Sequence, residues 1–132
     1  MRTHRSYDYA VVRVVPRVER EEFVNVGVIV SCPEIDFLEA RIDLHEERLL
    51  ALDSQVNIEA VRTHLASIVI ICAGGPEAGP IGRLSQRERF HWLVAPRSTI
   101  IQISPVHTGR CTDLPATMER LLQVMVRPHV RP

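Results

Sequence analysis

Residues 7–15 (YDYAVVRVV) and 23–31 (FVNVGVIVS) constrain the fold more than any other part of the chain. Valine and the aromatics dominate both, and a β-branched side chain that is stiff at χ1 suits extended backbone. In the first segment Tyr7, Tyr9, Val11, Arg13 and Val15 share one face, and Ala10, Val12 and Val14 share the other. In the second, Val24, Val26, Val28 and Val30 form one face, against Phe23, Asn25, Gly27 and Ile29. Both segments are apolar on both sides, which predicts interior strands. The short polar link at 17–22 predicts that they pair as an antiparallel hairpin.

Asn25 and Gly27 are unusual strand residues. A glycine inside a strand marks a bulge or a close approach of something to the backbone. Two readings follow: a ligand or second segment against that face near Arg13, or a bulge for close packing with Asn25 bonding backbone.

The remaining elements follow from caps and periodicity. After a turn broken by Pro33, Leu38, Ala40 and Ile42 alternate with Glu39, Arg41 and Asp43, as in a half-exposed strand over 36–43. Asp43, with Glu46 three residues on, predicts a capping box for a short helix carrying Leu49, Leu50 and Leu52. Asn57 caps a longer helix through Ile58, Val61, Leu65, Ile68, Val69 and Cys72, ended by Gly74, Gly75 and Pro76. Residues 74–82 (GGPEAGPIG) read as a mobile surface loop, because their glycine spacing fits neither phosphate-loop pattern and two prolines remove donors. Ser85 and Glu88 form a second capping box for a helix through Leu93, with Phe90, Leu93 and Val94 toward the core. Pro96 stops that helix, a strand follows over 99–103, and 104–109 close as a polar loop. Thr112 or Asp113 then caps a last helix with Pro115 in its first turn and a stripe of Leu114, Met118, Leu121, Leu122 and Met125.

The expected fold class is α+β: a single antiparallel sheet of about four strands, an N-terminal three-stranded meander plus one later strand, with helices packed mainly on one face. One domain is expected over 1–132, with 127–132 as a frayed tail.

Composition narrows the chemistry. Acids and bases balance at 16 each, so no global field steers the chain toward nucleic acid or an anionic membrane. Every basic residue is arginine. A P-loop, a protein kinase and a pyridoxal enzyme each need a lysine, so those mechanisms are excluded within this chain. The three cysteines are far apart and form no C-x-x-C, which fits a reducing compartment better than a disulfide framework. The histidines show neither H-x-H nor H-E-x-x-H spacing, so no metal site and no cofactor is expected. Without a signal-peptide pattern or a long apolar run, the expected location is the cytoplasm.

The densest polar chemistry lies in 85–109 (SQRERFHWLVAPRSTIIQISPVHTG). Arg97, Ser98 and Thr99 supply a planar cation and two hydroxyls at one end of a short strand, and His107 and Arg110 lie at the other. Arg13 and Asn25 could approach from the sheet. Together these seven residues are the candidate anion or ligand site. The alternative is structural: Arg97 paired to a carboxylate such as Asp8, Ser98 and Thr99 ordering the turn, and His107 bonding backbone. Ser104 and His107 do not form a nucleophile elbow, and Pro105 constrains their loop, so no catalytic residue is assigned.

The segments YDYAVVRVVPRVEREEFVNVGVIV and RFHWLVAPRSTIIQISPVHTG resemble the bacterial family catalogued as domain of unknown function 3037. The resemblance spans nearly the whole chain, and F-V-N-V-G-V and P-R-S-T-x-x-Q-x-S-P-V-H are its more specific motifs. It implies a small cytoplasmic accessory protein with a HipA-like kinase as partner, and it transfers no catalytic residue. The expected function is a non-catalytic binding or interaction module. The alternative is a phosphate-recognising enzyme or nucleic-acid-associated factor using the Arg97/His107 region. A homodimer through sheet edges stays open.

Overall fold

The computed structural model describes residues 3–97 and 99–129. Its elements are strands β1 (Arg5–Val14), β2 (Val24–Cys32) and β3 (Phe37–Ile42), helices α1 (Glu46–Leu52), α2 (Ile58–Ala73) and α3 (Gln86–Val94), strands β4 (Ile101–Ile103) and β5 (His107–Cys111), and helix α4 (Leu114–Leu121). All strands join one antiparallel sheet in the order β3-β2-β1-β4, with β5 also paired to β1. The class is α+β with the expected N-terminal meander, but the sheet has five strands, not about four.

The added strand is β5, which the sequence suggested as a polar loop. Its segment, HTGRC, is mostly exposed and lacks the alternation that marks a half-buried strand. Backbone pairing to Tyr9, Tyr7 and Arg5 decides its conformation, not side-chain burial. β4 and β5 form one edge broken by a bulge. The pairs Val12↔Ile103 and Tyr9↔His107 leave one more residue on the edge than on β1. At the break Ser104 N–H donates to the Val11 carbonyl, while Val11 N–H donates to Ser104 Oγ at 2.8 Å. A hydroxyl thus stands in for a ladder carbonyl, and Pro105, which has no donor, falls at the bulge as expected.

A second bulge shapes β2. Val12 pairs with Gly27 and Arg13 with Asn25, so Val26 has no opposite number. This shift corrects the simple alternation of the sequence. Val24, Val26 and Ile29 face one core cluster, and Val28, Val30 and Cys32 face the other. Gly27 has the close approach its residue type suggested, since a Cβ there would lie 2.7 Å from the Arg41 carbonyl oxygen and 2.6 Å from Ile42 Cδ1.

Both faces of the sheet are therefore covered. On one, Val12, Val14, Val24 and Ile29 pack with Leu49, Val61, Leu65, Ile68, Phe90 and Leu93 from α1, α2 and α3. On the other, Tyr7, Val28 and Val30 pack with Leu114, Met118, Leu121, Leu122 and Val126. Three helices share one face, but α4 and the π-helical turn that continues it (Leu122–Val126) close the second.

Caps behave as local chemistry dictates, with one exception. Asn57 Oδ1 accepts from Ala60 N–H, Ser85 and Glu88 form the reciprocal box, and Asp113 Oδ1 accepts from Ala116 N–H. Asp43 does not cap α1. His45 holds that position without a side-chain bond, and Asp43 Oδ2 accepts instead from Arg127 Nε at 2.7 Å. Residues 76–83 are wound into 3-10 turns broken at Gly79 (φ 66°), closed by a Gly75 N–H to Gly82 carbonyl bond of 3.1 Å. Among the described residues no single helix is long and apolar enough to cross a membrane.

Candidate anion-binding groove

The seven candidate residues do not form one site. Ser98 lies outside the described residues. Arg97 and Arg13 line a common groove of about 330 Å³ at the β1–β4 edge, with Val15, Val18, Glu21, Phe23 and Gln102. Asn25, although paired with Arg13 across the sheet, uses its Nδ2–H to reach the Met125 carbonyl at 3.0 Å. Thr99 Oγ1 donates to the Ile101 carbonyl at 2.7 Å, ordering the turn into β4. His107 and Arg110 lie on β5. His107 pairs with Tyr9, four residues along β1 from Arg13, which amounts to roughly 13 Å of extended chain. The proposed meeting of Arg97 with His107 is therefore corrected: the β4–β5 edge runs lengthwise between them.

Arg97 is held by the helix before it. Its guanidinium donates to the Trp92 carbonyl at 2.7 Å and the Leu93 carbonyl at 3.1 Å, and lies 4.4 Å from the Trp92 ring centroid. The last carbonyls of a helix have no intrahelical donors and carry partial negative charge, so a cation there is favourable. Pro96 requires the chain to leave the helix just before Arg97, which lets the side chain fold back over that end. The expected Arg97–Asp8 pair does not form. Asp8 Oδ2 instead accepts from Arg87 at 2.7 Å and Asp8 Oδ1 from Thr108 Oγ1 at 2.8 Å.

Arg13 is different. Its guanidinium stacks 4.2 Å from the Phe23 centroid, its Nε is buried without an acceptor, and no carboxylate pairs with it among the described residues. An arginine held over a ring with a desolvated, unpaired N–H is costly unless a hydrogen-bond acceptor completes it, and an anionic one completes it best. Four other arginines are already paired with carboxylates: Arg17 with Asp53, Arg62 with Glu46 and Glu59, Arg87 with Asp8, Arg127 with Asp43 and Glu119. Glu21, held in the left-handed region at φ 56°, puts one carboxylate on the rim, so the groove combines two guanidiniums with one acid.

A larger concavity of about 750 Å³ lies between residues 16–22 and 50–55, but both of its lining arginines are paired within it, with Arg17–Asp53 at 2.8 Å and Arg20–Glu22 at 2.5 Å. Ser104 Oγ accepts from Val11 N–H and sits 2.9 Å from the Pro105 carbonyl, so the hydroxyl has no free role as a nucleophile.

One polar network escaped sequence reasoning. Gln86 Nε2 donates to Ser31 Oγ at 2.7 Å and to the Phe37 carbonyl at 2.5 Å, and Arg87 reaches the same Ser31 Oγ at 3.2 Å. Ser31 and Gln86 are buried. The network ties the first turn of α3 to β1, β2, β3 and β5, and the only local hint was a serine near the end of the Val-rich strand β2.

No curated protein and no solved structure matches the chain. The family described as protein of unknown function (DUF3037) matches residues 9–126, from within β1 to the end of the π-helical turn, and so takes in the hairpin, the groove and both packed faces. The chain belongs to the DUF3037 family.

Proposed function

We propose that this protein is a non-catalytic binding module that holds an anionic group of its ligand or partner between Arg13 and Arg97. The observation that carries this reading is the Arg13 guanidinium: 4.2 Å from the Phe23 centroid, with no carboxylate partner among the described residues, and lining the same groove as Arg97 and Gln102. A planar fork of N–H donors fits carboxylate and phosphate oxygens two at a time. The Gln102 amide, which already donates one Nε2–H to the Thr99 carbonyl at 3.0 Å, has a second N–H to offer as a neutral donor, and Glu21 disfavours a second anionic group at the rim. A HipA-like kinase is the partner that we propose for the module.

The test uses inorganic phosphate as probe, followed by the arginine Nε–H and glutamine side-chain resonances in NMR. Saturable shifts at Arg13 and Gln102, lost in Arg13→Ala and retained in Arg110→Ala, are expected. Shifts that never saturate, or that persist in Arg13→Ala, overturn the reading. Co-elution of a purified HipA-like kinase with the native chain, but not with Arg13→Ala, would place that partner at the groove.

A further inference from the structure

The two edges of the sheet are built differently. The β4–β5 edge is interrupted by the Ser104 bulge and Pro105, devices that discourage strand addition. The opposite edge, β3, has no proline, bulge or lysine. Asp43 N–H donates to the Val26 carbonyl, and Val28 pairs with Arg41, so odd-numbered β3 residues direct their backbone groups to β2. Alternation then turns the N–H and C=O groups of Leu38, Ala40 and Ile42 outward, and no protein group bonds them among the described residues.

The side chains along this edge are complementary to the same edge run in the opposite direction. In the sequence Leu38-Glu39-Ala40-Arg41-Ile42 the apolar pattern is symmetric about Ala40 and the charge changes sign across it. A two-fold axis through Ala40 places Glu39 opposite Arg41 of the second copy, and Arg41 opposite Glu39. It also pairs Leu38 with Ile42 on the face toward α2. Glu39 and Arg41 would be directly opposed at a non-hydrogen-bonded position, where cross-strand side chains lie closest. An axis through Glu39 or Arg41 would oppose like charges. Within one copy these two side chains pair only loosely, at 3.8 Å, and both are partly exposed.

Beside this edge, α2 leaves an apolar strip uncovered. Val69 and Ile70 are exposed, and Ala66 and Val69 line a groove of about 350 Å³ that opens against Ile42 and Leu44. A two-fold axis perpendicular to the sheet keeps both copies of α2 on one side, with these strips facing each other. We propose that β3 pairs antiparallel with β3 of a second copy of this chain, giving a continuous ten-stranded sheet closed by the two α2 helices. The groove at Arg13 lies by the opposite edge and stays open in the dimer.

Light scattering coupled to size exclusion tests this on the full chain. The native protein is expected at twice the chain mass, and Glu39→Arg and Arg41→Glu each at the monomer mass, because each now opposes like charges. Mixed in equal amounts, the two variants regain the dimer mass as a heterodimer, since an edge with two bases then meets an edge with two acids. The double variant E39R/R41E regains it alone. Misfolded variants could not rescue one another, so loss of folding is distinguished from loss of pairing. A monomeric native protein, single variants that stay dimeric, or a mixture that stays monomeric overturns the proposal.

Discussion

The Tyr7 phenol ring lies over Gly109 on the neighbouring strand, so close that a Cβ at Gly109 would sit 2.5 Å from the Tyr7 hydroxyl oxygen and 2.6 Å from Cζ. The ring is 4 % exposed, with Val28, Val30 and Leu114 in the same cluster. The glycine is thus the recess that lets a large aromatic lie flat on an exposed edge strand, and the ring in turn covers backbone that glycine leaves bare. Gly109→Ala is expected to force Tyr7 out of its place and destabilise the protein by about 1–3 kcal/mol, as overpacking does. Chemical denaturation of the variant beside Tyr7→Phe/Gly109→Ala checks this: the double variant should recover part of the loss, because the hydroxyl oxygen makes the closest contact.

Gly27→Ala should cost more than Gly109→Ala. The new methyl would meet backbone, the Arg41 carbonyl oxygen at 2.7 Å, and not only the end of a side chain. β2 and β3 would have to separate, losing ladder bonds that a rotamer change cannot restore. A lower denaturation midpoint than that of Gly109→Ala, together with faster amide exchange in β3, is the expected result.

Cys72 should make stability fall in alkali. Burial pushes its thiol up to about 12 from the ordinary value of 9.0, with Arg89 opposing and Glu39 adding to the shift. The folded state holds the proton more tightly than the unfolded state. Stability is therefore undiminished below pH 9 and is lost between about 9 and 12, at up to ~1.4 kcal/mol per pH unit. Melting curves across that window should drop more steeply for the native chain than for Cys72→Ala. Cys32, also raised chiefly by burial, should resist thiol reagents along with Cys72, whereas the half-buried Cys111 should react first.

What the sequence disclosed and what it hid follow from the range of the forces involved. Caps such as Asn57, Ser85–Glu88 and Asp113–Pro115 act within four residues, so their spelling suffices. The core stripe of α2 was equally plain, because helical periodicity needs no partner to be seen; only Val69, exposed on the side toward β3, fell outside it. Asp43 misled because Arg127, 84 residues away, takes the carboxylate that a local cap would have used. β5 was hidden because backbone pairing alone makes HTGRC a strand. Of the candidate site, Arg13 and Arg97 come together, and the bulge that Asn25 and Gly27 announced is present. His107 stands apart because the Ser104 bulge spends three residues turning the edge from β4 to β5, a distance the linear order does not express.

The buried network at α3 gives a prediction of a different kind. Ser31 Oγ accepts from both Gln86 and Arg87, and Gln86 Nε2 also reaches the Phe37 carbonyl. Ser31→Ala removes one acceptor from two donors at once and leaves Gln86, 6 % exposed, with a buried N–H unsatisfied. That should cost about 1–3 kcal/mol. Pairing Ser31→Ala with Gln86→Leu removes donor and acceptor together, and the double variant should be more stable than the sum of the single losses predicts. If denaturation instead shows the two losses adding, Gln86 and Ser31 are independent, and α3 is held to the sheet by Phe90, Leu93 and the Asp8–Arg87 pair alone.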